Sequence, residues 1–142
     1  MIIKSQKDFK VFSDHVNTII AENIKNIGSA GLKTLYNNLV QKTPKDTEHA
    51  SENYHFSVAE PATNELPVGD KTATQESMDF IDSNPFVKYK KFYLTNTASS
   101  TSKKTGKKFY YLWALENGHS KQAPNGVVKV SILNMINKVE NL

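Results

Sequence analysis

Glu116, His119 and Ser120 are the residues whose types and proximity come nearest to a catalytic set. A carboxylate, an imidazole and a hydroxyl are the groups that nucleophilic catalysis needs. Their spacing speaks against that chemistry. Asn117-Gly118 falls between Glu116 and His119 and ends any helix there, and adjacent His and Ser seldom turn their side chains toward each other. His15, His49 and His55 add no His-Glu-x-x-His pair and no metal-ligand spacing. Glu116, Asn117 and His119 therefore read as side chains that hydrogen-bond a turn and fix its shape. The expectation is a non-enzymatic chain with no cofactor or metal.

A second chemistry is offered by Lys103, Lys104, Lys107 and Lys108, which lie beside Phe109-Tyr110-Tyr111. Lysine with aromatics can hold single strands or phosphates without reading sequence. All 18 basic residues are Lys. With no Arg, the usual bidentate partner of guanine edges and phosphates is missing, which argues against sequence-specific DNA reading. Gly28-Ser29-Ala30-Gly31 is not a nucleotide loop, because neither the following Lys-Ser/Thr nor a preceding strand is there. Its helical surroundings favour close packing instead.

The element that must position the first set is the stretch 110–128, which holds the sole Trp and two of the six Gly. A short helical turn over 110–116 is stopped by Asn117-Gly118, since Gly tolerates the left-handed backbone of a helix end. A second bend at Pro124 to Gly126 aims Val127 and Val128 back at the core, with 127–130 a candidate strand.

Upstream, Ser5-Gln6-Lys7-Asp8 reads as a capping box. Apolar residues follow at Phe9, Phe12, Val16, Ile19, Ile20, Ile24, Ile27, Leu35 and Leu39, spaced by three and four. The pattern predicts one long helix kinked or briefly broken near 28–31, or a pair of helices joined there. Its length exceeds what so small a domain needs, so part of its apolar face is expected to meet another subunit. Thr43-Pro44 ends it. Residues 53–59 alternate, with Tyr54, Phe56 and Val58 on one face and Asn53, His55 and Ser57 on the other, as a half-buried antiparallel strand does. Residues 60–71 read as a long exposed loop, followed by a short helix through Ile81 capped by Thr72 or Thr74. One or two strands are expected in 86–96. A mobile hairpin tip or insertion is expected at 97–108. A C-terminal helix is expected to place Ile132, Met135, Ile136 and Val139 on one side. The fold class is thus α+β: a long N-terminal helix on a small antiparallel sheet, with short helices and a C-terminal helix, in one domain over 1–142.

The composition bounds what such a fold can be. The hydrophobic fraction of 38% allows a modest core and suits a protein that completes its packing in an assembly. No Cys is present, which excludes disulfides and Cys-based metal sites. No apolar run approaches the roughly 20 residues of a membrane span, and Met1-Ile2-Ile3-Lys4 turns polar too soon for a signal peptide. A soluble protein made in a reducing cytoplasm is expected. The net charge of +4 is unevenly laid out: 46–82 holds nine acids and one Lys, whereas 86–109 holds seven Lys and no acid. Such a separation can give an acidic face on one subunit and a basic face on the next.

Tyr110-Tyr111-Leu112-Trp113-Ala114-Leu115-Glu116-Asn117-Gly118-His119-Ser120-Lys121-Gln122-Ala123-Pro124-Asn125-Gly126 resembles the signature of neck and tail-completion proteins of tailed bacteriophages related to minor tail protein Z. Thr43-Pro44-Lys45-Asp46-Thr47 resembles the family's Thr-Pro-x-Asp-Thr-Gly turn, with Glu48 where the family carries Gly. Leu94-Thr95-Asn96 is similar to its strand ending in Asn. The three stretches keep the family's order and span roughly 43–130 of the chain. Residues 97–108 are an insertion relative to the family pattern. The resemblance implies a structural virion protein at the head–tail junction, assembled in the host bacterial cytoplasm. It implies a ring, expected as a homohexamer because the tail tube is sixfold. Its partners would be itself, the head connector or adaptor, and tail terminator or tube proteins, with non-specific contact to genomic DNA in the lumen and no membrane. Asp46, Thr47, Asn96, Trp113, Glu116, Asn117, Gly118, His119, Pro124 and Gly126 would set its shape. The 61–71 loop and the 97–108 loop with its four Lys would make contacts. Gly118→Val is expected to misfold or block assembly because Val resists positive φ; soluble, ring-forming variant protein on size-exclusion chromatography would refute that role.

Overall fold

A computed structural model describes residues 4–45, 48–117, 121, 123 and 125–142. Asp46, Thr47, Gly118, His119, Ser120, Gln122 and Pro124, all singled out above, lie outside the described residues. Helix α1 runs unbroken over Gln6–Lys42, 37 residues or about 55 Å at 1.5 Å per residue. Ser5 caps it by accepting from the Asp8 N–H at 3.2 Å, and Asp8 in turn accepts from the Lys4 N–H at 3.2 Å. Neither a break nor a second helix interrupts it at 28–31. The small residues there let other helices approach: a Cβ on Gly28 would lie 2.6 Å from the Phe86 ring, and one on Gly31 2.9 Å from a Val139 methyl.

Beyond α1 come β1 (Tyr54–Ser57), α2 (Thr72–Asp82), α3 (Pro85–Lys88) and β2 (Tyr93–Asn96). They are followed by β3 (Ser99–Thr101), β4 (Lys108–Tyr110), α4 (Tyr111–Glu116) and α5 (Val128–Glu140). The fold is α+β, with two separate two-stranded antiparallel sheets among the described residues. β1 pairs with β2 from Tyr54 opposite Asn96 to Ser57 opposite Tyr93, and β3 pairs with β4 from Ser99 opposite Tyr110 to Thr101 opposite Lys108. α5 runs antiparallel along the C-terminal half of α1: Val139 and Met135 face Gly31, and Asn134 donates to Asn38 at 2.9 Å.

Two expected strands take other forms. Residues 128–130 belong to α5 and Val127 is its N-cap, because spacing by three and four places Val128, Ser131, Met135 and Val139 toward α1, where Ser131 is fully buried. The start of 86–96 is helical, with Pro85 pre-set for the first turn of α3. The short helix α2 begins at Thr72 itself. Asp70, not a Thr, holds its first N–H at 2.9 Å.

The core gathers Leu32, Tyr36, Leu39, Tyr54, Ile81, Leu115, Ala123 and Val127 from α1, β1, α2, α4 and the bend before α5. An aromatic layer adjoins it, with Phe56 stacked on Phe80 at 4.9 Å and Phe92 edge-on to Phe80 at 5.4 Å. The Tyr54 hydroxyl lies 2.8 Å from Thr43 Oγ1, whose single proton goes to the Leu39 carbonyl at 2.6 Å. Tyr54 is therefore the donor, and burial pushes its hydroxyl up to about 12. Thr43 thus stops α1 and anchors β1 at the same point.

β1 is covered on both faces at its start, unlike the half-buried strand expected. Asn53 is fully buried. Its amide donates to the carbonyls of His49 at 2.8 Å and Leu66 at 3.1 Å, and its carbonyl accepts from the Leu66 N–H at 2.7 Å and lies 3.2 Å from Thr97 Oγ1. Neighbouring His55 is buried too, which lowers its pKa, with Glu76 pulling the other way. The 60–71 loop is thereby strapped down. Thr97 Oγ1 also binds the Asn64 carbonyl at 2.8 Å, and Glu52 accepts from the Gly69 N–H at 2.8 Å. Asn53→Ala would strand several of these groups away from water, so it is expected to lower the unfolding free energy by about 3 kcal/mol in urea melts. An effect below about 1 kcal/mol would show that water replaces the Asn53 amide.

Candidate functional site

α4 ends at Glu116 with Asn117 as its C-cap, and the Asn117 N–H and side-chain amide both bind the Trp113 carbonyl, at 3.1 and 2.8 Å. This leaves the Glu116 side chain directed across the bend to the start of α5. One oxygen accepts from the N–H groups of Val127 and Val128, the latter at 2.6 Å, and the other lies 3.5 Å from the Lys129 N–H. A helix start exposes N–H groups with no internal partner and carries partial positive charge. The N-cap residue Val127 has no acceptor in its side chain, so Glu116, eleven residues earlier, does the capping.

Gly126 makes the geometry possible. Its φ is +79°, and a Cβ there would lie 2.8 to 2.9 Å from all three carboxyl atoms of Glu116. The carboxylate therefore sits flat on a residue with no side chain while its oxygens face the α5 amides. Ala123 and Val127 on either side are buried, and the Gly126 N–H donates to the Ala123 carbonyl at 3.1 Å. Tyr54 lies close enough that the Glu116 charge adds to the rise in its pKa. Of the described signature residues, Glu116 and Gly126 are thus brought together. Trp113 is 61% exposed on the outer side of α4.

The other stretches that carry the resemblance are also positional. Glu48 has φ +60°, the left-handed backbone that glycine adopts at least cost. Its carbonyl receives the Glu52 N–H at 3.0 Å and the Ser51 hydroxyl at 2.9 Å. Asn96, last residue of β2, donates to the Ala50 carbonyl at 2.7 Å and accepts from the Ala98 N–H at 3.1 Å, tying this turn to the sheet.

Residues 97–108 form a hairpin built on β3 and β4. Its tip is closed by the Ser102 N–H on the Lys107 carbonyl at 2.9 Å and by Gly106 at φ +67°. Lys103, Lys104, Lys107 and Lys108 are exposed on it, and the Lys108 ammonium lies 5.3 Å from the Tyr110 ring centroid. At its base Glu65 accepts from the Ser99 N–H at 2.6 Å, the Ser99 hydroxyl at 2.8 Å and His49 at 2.7 Å. Desolvation raises the Glu65 pKa, but these bonds outweigh it and leave the carboxyl below its ordinary value.

A 460 Å³ hollow between the end of α1 and the bend is lined by Thr43, Pro44, Lys45, Ala123, Asn125 and Gly126 among others. Among the described residues no three His, Asp or Glu gather as metal ligands. Again among them, no helix is long and apolar enough to cross a membrane. Comparison with family models, with curated proteins and with solved structures finds no match.

Sequence reasoning missed the central role of Asn53, because an alternating strand places it on the solvent side. It also missed the partner of Glu116, for which Gly126 was the available sign. Glu116→Ala is expected to cost about 1–2 kcal/mol by uncapping α5. Gly126→Ala is expected to cost a similar amount, about 1–2 kcal/mol, through its left-handed backbone. The double variant should lose clearly less than the sum, since a Cβ already displaces the carboxylate. Strict additivity in denaturant melts would show that the two residues act separately.

Proposed function

We propose that this chain is a structural protein of a tailed-phage virion, sited at the head–tail junction and assembling into a ring, with a homohexamer expected from the sixfold tail. One observation carries the reading: the signature residues do conformational work. Glu116 lies on Gly126 and starts α5, which fixes how the last helix meets the first. Two further positions that resemble the family support it. Glu48, at the family's Gly, has positive φ, and Asn96 ties the following turn to β2. The role is geometric: the ring offers one surface to the connector and another to the tail, and no catalysis is involved.

A second reading rests on the hairpin, where four exposed Lys stand beside Tyr110, itself 52% exposed. Such a finger suits non-specific contact with DNA, in the neck lumen or as a free-standing module.

Deletion of the coding sequence from the phage or prophage that carries it tests the main reading. Full heads and finished tails that fail to join are expected by electron microscopy, with the chain present in purified wild-type virions by mass spectrometry. Normal joined particles after deletion would overturn it. Salt-sensitive DNA binding by the isolated protein, lost on replacing the four Lys by Ala, would then favour the module.

A further inference from the structure

A small hollow of about 270 Å³ opens at the foot of the hairpin. Its lining is Ala62 and Thr63 of the 60–71 loop, Thr95, Asn96 and Thr97 at and just past the end of β2, and Tyr110 at the end of β4. The chain's own bonds fix this frame. Thr97 Oγ1 binds the Asn64 carbonyl at 2.8 Å, and Asn96 holds both the Ala50 carbonyl and the Ala98 N–H. Glu65, on the same loop, engages both its carboxylate oxygens with Ser99 and His49. Among the described residues, no group bonds the Thr63 or Thr95 hydroxyl.

Tyr110 is the wall that selects what fits. Lys108, two residues earlier, shares its side of β4, and the Lys108 ammonium lies over the ring at 5.3 Å from the centroid. Tyr110 is still 52% exposed. The hairpin above it, 97–108, carries four Lys and no acid. A partner for these surfaces must be anionic along its length, present a flat face to Tyr110 and offer polar edges to the hydroxyls. The hollow also falls below the about 300 Å³ at which pockets for drug-sized ligands begin, so one small ring system enters and nothing larger. A duplex brings the charge but keeps its base faces stacked inside. An acidic peptide brings the charge on flexible arms, with no flat polar ring. A single nucleic-acid strand meets every requirement, because each base has a face to stack and an edge to hydrogen-bond.

We infer that the hollow takes one unstacked base of a single-stranded nucleic acid. The base stacks on Tyr110 with its edge toward Thr63 and Thr95, and Lys103, Lys104, Lys107 and Lys108 follow the neighbouring phosphates. A hydroxyl both donates and accepts, so the hollow holds any base and reads no sequence. This rests on the second reading, the hairpin as a nucleic-acid finger, and adds to it the strand class and the site.

Fluorescence anisotropy on the full-length protein tests this with three labelled probes of equal length. They are an oligodeoxythymidylate, the same sugar–phosphate strand without bases, and the thymidylate paired with oligodeoxyadenylate. Wild type should bind the thymidylate about tenfold tighter than the base-free strand, and tighter than the duplex. Tyr110→Ala should lose about tenfold on the thymidylate and nothing on the base-free strand, whereas Tyr110→Phe should keep wild-type affinity for both. Replacing the four Lys by Ala should weaken all three probes and flatten their salt dependence. Circular dichroism checks the fold of each variant. If Tyr110→Ala loses structure, the comparison of thymidylate with base-free strand on wild type decides alone. A base-free strand or a duplex bound as tightly as the thymidylate would overturn the base site. So would polyglutamate that displaces the labelled thymidylate as well as unlabelled thymidylate does, or a folded Tyr110→Ala variant that binds like wild type. Each of these leaves the charged finger standing if the four-Lys variant still loses binding. No binding to any of the three probes would end both the base site and the finger.

Discussion

The bend between α4 and α5 is held by one carboxylate spread over the first amides of a helix. Without Glu116, α5 begins at a Val that cannot cap it, and the N–H groups of Val127, Val128 and Lys129 lose their acceptor. The start of α5 sets which side of that helix faces α1. It also brings Val127 and Ala123 into the core beside Tyr54 and Leu39. A local charge–dipole contact thus fixes a tertiary arrangement, and Gly126 is there because no side chain fits between the carboxylate and the backbone.

A second constraint acts on the opposite side of Tyr54. Asn53, Thr97 and Asn96 use their side chains to replace a third strand, supplying donors and acceptors to the 60–71 loop and to the turn at 48–51. The sheet of β1 and β2 is only two strands wide, and such a pair is marginal by itself. Buried amides that are fully paired convert a polar loop into cover for that pair. The acids of 46–82 are partly consumed in the same way, with Glu52 on the Gly69 N–H and Glu65 on Ser99 and His49.

Elements governed by local rules were legible in the sequence. The Ser5–Asp8 cap, the spacing of three and four along α1, the Thr43-Pro44 stop, the helix over 72–82 and the part of α5 from Ile132 onward follow from nearest neighbours along the chain. Val127-Val128-Lys129-Val130 was misread because β-branched residues favour a strand, whereas the helix is secured by a cap supplied eleven residues upstream. The unbroken course of α1 through Gly28 and Gly31 was hidden for a similar reason. The backbone cost of glycine is visible in the sequence, but the Phe86 ring and the Val139 methyl that repay it are not. Of the bend itself, Glu116 and Gly126 could be named as shape-determining, but their contact could not.

Phe86 and Val139 meet α1 at Gly28 and Gly31, and Ser83, Asn84, Val87 and Lys88 border it as far as Thr18. From Thr18 to Phe9 the helix runs on for about 14 Å, with Phe9 and Phe12 exposed. A tilt of about 10° at Thr18 swings Phe9 through about 2 Å while the core stays fixed. The end of the helix is in effect a short lever arm.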